Sequence, residues 1–115
     1  MMDKLLRIAI CEDFKEDARH LLDCIEKSGI DTSCRLFSCG EDFLASFDEG
    51  QFDMIFMDIY MSGMTGVEAV RKIREIDENT VIAFTTTSLD HTLDGYRLGV
   101  LKYIEKPAIQ KDVDE

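Results

Sequence analysis

The stretch Met54-Ile55-Phe56-Met57-Asp58 joins a run of four apolar residues to a single carboxylate. A short, continuous apolar run of this kind predicts a buried strand. Residues 59–66 follow directly and contain two glycines, which predicts a loop. A carboxylate at the carboxyl end of a buried strand, facing such a loop, is placed for chemistry rather than for packing. Asp58 is therefore the first candidate for a functional residue.

Three further predicted strands also end in polar side chains. Those side chains are Glu12 and Asp13 after the apolar run 8–11, Thr85 to Thr87 after the run 81–84, and Lys106 after the element 102–105. Because the carboxyl ends of parallel strands meet at one edge of a sheet, we expect all of these groups to line one pocket.

Four helices are predicted between the strands, because apolar residues recur there at helical spacing. Their inward residues are Phe14, Ala18, Leu21, Leu22 and Ile25 in the first helix, Phe43, Leu44 and Phe47 in the second, Val67, Val70, Ile73 and Ile76 in the third, and Leu93, Tyr96 and Leu98 in the fourth. Capping boxes at 38–41 and 65–68 open the second and third helices. Glycines close three of them, namely Gly29, Gly50 and Gly99.

Strands that alternate with helices pair in parallel through right-handed crossovers, and helices on both faces favour continuous apolar strands. The predicted strands are 5–11, 34–37, 54–57, 81–86 and 102–104. We therefore predict one α/β domain over residues 1–115, a flavodoxin-like, doubly wound parallel sheet of five strands in the order 2-1-3-4-5. Ligands bind such a sheet where the strand order reverses, here between strands one and three. Since only eight residues follow Pro107, a fifth helix is expected to be cut short.

The composition excludes several classes of protein. The 115 residues carry a formal net charge of -11, whereas nucleic-acid binding depends on cationic side chains, so this segment is not expected to contact DNA directly. No apolar stretch is long enough to cross a bilayer, and the first residues lack a secretory signal. The four cysteines lack the paired spacing of a zinc site. We interpret them as reduced thiols of a cytoplasmic protein.

The residues expected in the pocket predict phosphoryl chemistry. Three carboxylates in one cleft would raise each other's pKa values, and a divalent cation would remove this repulsion. Oxygen ligands with a net negative charge suit Mg2+. Asp58, beside a metal and a lysine, could attack phosphorus and form an acyl phosphate. Mg2+, the Lys106 ammonium and the hydroxyl of Thr86 would neutralise charge on the transferred group.

Taken together, these motifs resemble the receiver domain of two-component response regulators over essentially the whole chain. The matching features are Glu12-Asp13 after strand one, Asp58 with Met61 and Gly66, the hydroxyl cluster that ends strand four, and Lys106-Pro107. The stretch 36–44 and the short spacing from Thr86 to Lys106 are most similar to the receivers of LytTR-type transcriptional regulators.

The resemblance implies a role for each matching residue of the pocket. Asp58 would be the phosphoacceptor, and Lys106 would pair first with Asp58 and later with the phosphoryl group. Asp13 would bind Mg2+ directly, and Glu12 would bind it mainly through water. The backbone carbonyl of Tyr60 would complete the protein ligands.

The resemblance also implies a switch that responds to the phosphoryl group. Its hydroxyl could belong to Thr85 or Thr86, and a gap-free alignment favours Thr86. Tyr103 matches the position of the switch aromatic residue. The family usually has proline where this chain has Ser62, so the loop after Asp58 is expected to be less rigid.

The implied function is a signalling switch and not an enzyme that acts on an external substrate. A sensor histidine kinase would phosphorylate Asp58, and the altered surface would pair with a second receiver and control an output, expected to be transcription. Two alternatives stay open. A Mg2+-dependent aspartyl-phosphate phosphohydrolase of the haloacid dehalogenase type typically has an acid where this chain has Tyr60. A phosphate-independent pseudo-receiver would be expected to have lost an acid or the lysine.

Overall fold

A computed structural model describes residues 5–86 and 97–106 of the chain. Its elements are β1 Leu6–Cys11, α1 Lys15–Lys27, β2 Thr32–Phe37, α2 Gly40–Ser46, β3 Met54–Asp58, α3 Gly66–Ile76, β4 Val81–Thr86 and β5 Lys102–Glu105. Every strand pair is parallel, and the order across the sheet is β2-β1-β3-β4-β5. The predicted fold class and strand order are confirmed. Within the described ranges, no helix is long and apolar enough to cross a membrane.

Two predicted helices lie wholly or mostly outside the described residues. They are the fourth helix, with Leu93 and Tyr96 on its inner face, and the fifth helix after Pro107. Gly99, the predicted end of the fourth helix, has a φ of 68° and lies in the turn before β5. The extent of the domain over residues 1–115 stays a prediction.

The sheet separates two hydrophobic clusters, because successive side chains of a strand point to opposite faces. In β1, Ile8 and Ile10 pack in the cluster that contains Leu21 of α1. Ala9 and Cys11 pack on the other face, in the cluster formed with α2 and α3. Both faces of each inner strand are thus covered, which explains why these strands are continuous apolar runs.

Two residues predicted on the inner faces of helices are exposed instead. Phe14 is 54% exposed because it is the N-cap residue of α1 and precedes the first helical turn. Ile76 is 41% exposed at the end of α3. Each step of three residues along an α-helix falls about 60° short of a full turn. After the three steps from Val67, Ile76 therefore lies on the opposite side of the helix, even though Val70 and Ile73 are buried.

The predicted limits of the second helix are also wrong. The N-cap of α2 is Cys39 and not Ser38, and its Sγ accepts the N–H of Asp42 at 3.4 Å. The Glu41 carboxylate also accepts the N–H of Met64 in the loop after β3, at 3.0 Å, so it is not confined to its own helix. The helix ends at Ser46, and Gly50, with a φ of 76°, occupies the turn before β3.

The predicted start of α3 and end of α1 are confirmed. The Thr65 hydroxyl accepts the N–H of Glu68 at 3.2 Å, and the Glu68 carboxylate accepts the N–H of Thr65 at 3.0 Å, which completes the capping box. Gly29 follows the C-cap residue Ser28 with a φ of 82°, a conformation that favours glycine after the end of a helix.

Asp77 lies between α3 and β4, at the amino-terminal edge of the sheet, and only 4% of it is exposed. Its carboxylate accepts the backbone N–H groups of Gly50 at 2.9 Å, Asn79 at 2.8 Å and Thr80 at 3.0 Å. Burial alone would raise the pKa of Asp77, but these N–H groups hold it below its ordinary value. Asp77 therefore organises the turn as an ionised acceptor.

Arg74 joins the same turn to the segment before β5. Its guanidinium donates to the carbonyls of Thr80 at 2.7 Å, Leu98 at 2.8 Å and Gly99 at 3.1 Å. One side chain thus connects α3, the start of β4 and the residues that lead into β5.

Candidate functional site

Asp58 lies at the carboxyl end of β3, between β1 and β4 in the sheet. Its Cα is in register with that of Thr85 on β4. The residue is 2% exposed, and its Oδ1 accepts the backbone N–H of Tyr60 at 3.3 Å. Asp58 is thus a buried carboxylate at the edge of the sheet where ligands bind in this topology.

Lys106 follows β5 and extends its ammonium group to the same point. Its Nζ lies 2.6 Å from Glu12 Oε1, 3.1 Å from Asp58 Oδ1 and 3.4 Å from Asp17 Oδ2. Its backbone N–H donates to the carbonyl of Thr86 at 2.7 Å, so Lys106 is positioned by the end of β4. An ammonium group has three N–H donors, and three carboxylates from the described part of the chain surround this one.

Glu12, Asp13 and Asp58 form an acidic cluster, in which one carboxylate oxygen from each residue lies within 4.8 Å of the others. Glu12 and Asp58 are buried, whereas Asp13 is exposed at the rim. Glu12 Oε2 accepts the N–H of Phe14 at 3.2 Å, and Asp13 Oδ2 accepts the N–H of Ser62 at 3.2 Å. The structure therefore brings together the three acids that were predicted to share a pocket.

The charges of this acidic cluster are unbalanced. Burial, and then the neighbouring Asp58 carboxyl group, raise the pKa of Glu12 to about 7, although Lys106 opposes the shift. Burial alone would lower the pKa of Lys106, but the carboxylates of Glu12 and Asp58 raise it above its ordinary value. The Glu12 shift thus comes first from burial and then from a neighbouring acid, whereas the Lys106 shift comes from the two acids that contact its ammonium. A second cation would relieve this crowding.

The donors of the acidic cluster fit a hard divalent cation. They are all carboxylate oxygens, which suit Mg2+ or Ca2+ better than a metal that prefers thiolate or imidazole. Mg2+ keeps several waters and takes few carboxylates, and the exposed Asp13 leaves one side of the cluster open to solvent. Glu12, Asp13 and Asp58 are the residues that could hold the ion, and the Tyr60 carbonyl stays a predicted further ligand.

The loop between β3 and α3 passes so close to Asp58 that it requires glycine at its end. A Cβ on Gly66 would collide with the carbonyl oxygen of Asp58 and lie 2.8 Å from the Cα of Ile59. The N–H of Met64 donates to Glu41 Oε2 at 3.0 Å, which attaches the loop to α2. The loop is therefore fixed by contacts with neighbouring elements.

The two candidate switch hydroxyls point to opposite faces of the sheet. Thr86 is fully buried and shares a face with Phe84, because residues two apart in a strand point the same way. The ring of Tyr103 lies 5.4 Å from that of Phe84, between centroids, and Tyr103 is half-buried. Thr85, in register with Asp58, faces the other way. Thr86 and Tyr103 thus share one face, and Tyr103 lies outside the acidic cluster.

Two contacts of the site were missed by the sequence analysis. Asp17 lies in the first turn of α1, where an acid is already explained by the helix dipole. Glu41 was assigned to the cap of α2, although it binds the loop after Asp58. In both cases a sufficient local explanation concealed a contact with a distant part of the chain.

The chain belongs to the response regulator receiver domain family, whose pattern matches residues 8–115. It is thus a receiver domain of a two-component response regulator, as its motifs predicted. The acidic cluster and Lys106 described above lie within the matched region.

Two relatives are similar in sequence to most of the chain. The sensory transduction protein LytT of Oceanobacillus iheyensis is 27% identical over 104 residues, which cover 89% of this chain and 42% of that protein. The transcriptional regulatory protein PcoR of Escherichia coli is 30% identical over 104 residues, which cover 88% of this chain and 45% of that protein. The chain therefore spans less than half the length of these two relatives.

Solved receiver structures share the fold. The response regulator DrrB of Thermotoga maritima has a TM-score of 0.81 at 25% identity, over 96% of this chain and 50% of that chain. The BeF3-activated receiver domain of DrrB has a TM-score of 0.82 at 24% identity, over 96% of this chain and 92% of that chain. The Mn(2+)-bound form of the response regulator Rcp1 has a TM-score of 0.76 at 22% identity, over 95% of this chain and 86% of that chain.

Proposed function

We propose that this receiver domain is a Mg2+-dependent phosphoacceptor that takes a phosphoryl group from a sensor histidine kinase onto Asp58. The observation that carries the proposal is the placement of Asp58. Its carboxylate is 2% exposed, lies 3.1 Å from the Lys106 ammonium and shares the acidic cluster with Glu12 and Asp13. A nucleophile, a cationic partner and candidate metal ligands thus meet at one strand end.

In the proposed transfer an oxygen of Asp58 attacks phosphorus, the bond from phosphorus to the kinase histidine breaks, and the imidazole leaves. Lys106, which already pairs with Asp58, follows the phosphoryl oxygens and neutralises part of their charge. Mg2+ held by Glu12, Asp13, Asp58 and the Tyr60 carbonyl would supply the remaining neutralisation. The domain would act only on itself, in gaining and losing this phosphoryl group.

Intact mass measurement after incubation with Mg2+ and acetyl phosphate tests the assignment of Asp58. The parent domain is expected to gain one phosphoryl group. Asp58→Asn keeps the shape of the side chain but lacks the nucleophile, so this variant should gain none. Asp23→Asn removes an exposed acid from α1 and should behave as the parent. A phosphoryl group on the Asp58 variant would refute the assignment.

Calorimetric titration with Mg2+ tests the metal ligands separately. Asp13→Ala should weaken Mg2+ binding strongly and abolish phosphorylation, because a direct ligand and a negative charge are lost. Glu12→Gln should do less, since its contact is expected through water. Lys106→Met should leave Mg2+ binding intact or tighter, because it removes a cation that pairs with two of the acids. Equal affinity in the Asp13 variant and the parent would remove Asp13 from the site.

Output is proposed to run through Thr86 and Tyr103 to a surface that pairs with a second receiver. The Thr86 hydroxyl would turn toward the phosphoryl group, and Tyr103 would move into the space beside Phe84, with which its ring is already in contact. The difference between the two states need only be a few kcal/mol, roughly the energy of an ordinary population shift. Sedimentation and NMR of Tyr103, with and without beryllofluoride, test this route. An unchanged mass and an unchanged Tyr103 signal would exclude it.

Control of transcription is proposed from the relatives, among which PcoR is a transcriptional regulatory protein. The formal net charge of -11 argues against DNA contact by this segment itself, so the DNA-binding part is expected elsewhere. A mobility-shift assay with this domain alone should detect no DNA binding at physiological salt. A cytoplasmic location stays a prediction.

The geometry favours neither alternative function. Two residues after Asp58, where a haloacid dehalogenase-type phosphohydrolase typically has an acid, the chain has Tyr60, which is 47% exposed. A pseudo-receiver is expected to lack part of the pocket, whereas here Glu12, Asp58 and Lys106 are in contact.

A further inference from the structure

Asp17 is the third carboxylate around the Lys106 ammonium, and it belongs to a different element from the acidic cluster. It lies in the first turn of α1, with its Oδ2 3.4 Å from Nζ. Its side chain is 33% exposed, whereas those of Glu12 and Asp58 are 4% and 2% exposed. Asp17 therefore contacts the ammonium from the solvent side, and the two buried acids contact it from the interior.

The inner contacts of Lys106 compete with a metal ion. Glu12 Oε1 and Asp58 Oδ1 accept the ammonium, and the same two side chains belong to the acidic cluster that could hold a divalent cation. A cation that binds these carboxylates weakens their ion pairs with Lys106, because the two positive charges compete for the same oxygens. Asp17 is not part of that cluster, so its contact with the ammonium can persist when a metal binds.

We propose that Asp17 is a positioning residue, which keeps the Lys106 ammonium within reach of Asp58 while the acidic cluster holds Mg2+. The proposal rests on the function proposed above for that cluster. Without Asp17 the ammonium would bind more fully to Glu12 and Asp58. Mg2+ would then have to displace a stronger competitor, and its affinity would fall.

Two simpler effects of Asp17 must be separated from this contact. An acid in the first turn stabilises its helix through the dipole, and any negative charge near the site attracts Mg2+. Glu16 provides a matched control, because it is an acid in the same first turn and is exposed. Glu16→Gln and Asp17→Asn share both simpler effects, whereas the contact with Lys106 belongs to Asp17.

A double-mutant cycle read by Mg2+ titration tests the proposal. Asp17→Asn is expected to weaken Mg2+ binding about threefold more than Glu16→Gln does, as for a partly exposed ion pair. In a Lys106→Met background, the effect of Asp17→Asn should fall to that of Glu16→Gln, because no ammonium is left to position. An effect of Asp17→Asn that is the same with and without Lys106, or the same as that of Glu16→Gln, would overturn the proposal.

The ammonium signal of Lys106 in NMR provides a second measurement that needs no metal. The signal is assigned by its loss in Lys106→Met. Asp17→Asn should shift it clearly, and Glu16→Gln should not, while thermal unfolding checks that both variants fold. An unshifted Lys106 signal in Asp17→Asn would overturn the proposal. If instead the parent gains no phosphoryl group but the cycle holds, the phosphoacceptor function fails and the role of Asp17 stands.

Discussion

Asp77 and Asp58 are both buried aspartates, but they lie at opposite edges of the sheet and have opposite surroundings. Asp77 accepts three backbone N–H groups at the amino edge, and its pKa is lowered although burial alone would raise it. Among residues 5–86 and 97–106, Asp58 accepts one backbone N–H and lies beside Glu12, whose pKa is raised to about 7 first by burial and then by Asp58. Burial is nearly the same at both edges, and the partners differ.

The difference separates an acid whose partners are backbone N–H groups from one whose neighbours are other charged side chains. The backbone donors satisfy the hydrogen-bonding capacity of the Asp77 carboxylate within the fold itself, so its negative charge needs no further partner. At the carboxyl edge, acids face other acids, and one ammonium is shared among three carboxylates. A further cation or a chemical change that alters the charge would stabilise this arrangement beyond what Lys106 provides, and crowded acids of this kind are common at functional sites.

The largest expected difference in the free energy of unfolding comes from replacing Asp77 and Asp58 in turn. Asp77→Ala should lower the free energy of unfolding by about 3 kcal/mol, because three N–H groups lose an ionised acceptor. Asp58→Asn should change it by less than about 1 kcal/mol, or raise it, since a crowded charge is removed. Urea denaturation without Mg2+ measures both. Similar losses in the two variants would mean that the edges do not differ as described.

The glycines of the two edges should differ by a smaller amount. Gly66→Ala at the carboxyl edge should lower the free energy of unfolding by about 2 kcal/mol, because the new methyl group would collide with the backbone of Asp58. Gly50→Ala at the amino edge has open space around it, and its φ of 76° should cost only about 1 kcal/mol. Thermal or urea unfolding gives the comparison, and a larger loss at Gly50 would contradict it.

The pH dependence of stability should have opposite signs at the two edges. The pKa of Glu12 is raised from its ordinary value of 4.5 to about 7 in the folded protein. Between these two pH values the folded state therefore binds more protons than the unfolded state. Its contribution to stability is therefore lost as the pH rises through this range. The lowered pKa of Asp77 gives stability that is present above its ordinary value of 3.8 and is lost as the pH falls.

Comparison of the parent with Glu12→Gln isolates the contribution of Glu12 to the pH dependence of stability. From about pH 5 to about pH 7.5, without Mg2+, the free energy of unfolding of the parent should fall by about 2 kcal/mol relative to that variant. Denaturation series at several pH values measure this difference. A difference that does not change with pH, or that grows in favour of the parent, would show that the pKa of Glu12 is not raised.

The smallest expected effect concerns the side chain of Ser62. Asp13 accepts both the N–H of Ser62 at 3.2 Å and its hydroxyl at 3.5 Å. Ser62→Ala keeps the stronger backbone donor, so Mg2+ affinity should change by less than about twofold. Ser62→Pro removes the N–H as well and should have the larger effect. Equal affinities in the two variants would mean that this N–H does not orient Asp13.

Much of the fold and of the pocket could be predicted because both depend on strand ends. Asp58 and Lys106 each follow a predicted strand, and a parallel sheet of this order has to bring those ends together. The contact of Asp17 could not be predicted, since no periodicity connects the first turn of α1 with the end of β5. Cys39 was missed as the cap of α2 because thiols are not among the preferred capping groups.

The guanidinium of Arg74 connects α3 directly to the segment that leads into β5. It connects α3 to the carbonyls of Leu98 and Gly99, just before the four residues of β5, which is the last strand in the sheet order. Amide protons in β5 should therefore exchange with solvent in the same opening event as those of α3, and not with those of β1 and β2. If they do, an arginine at the opposite edge of the sheet contributes to how long the Lys106 ammonium stays beside Asp58.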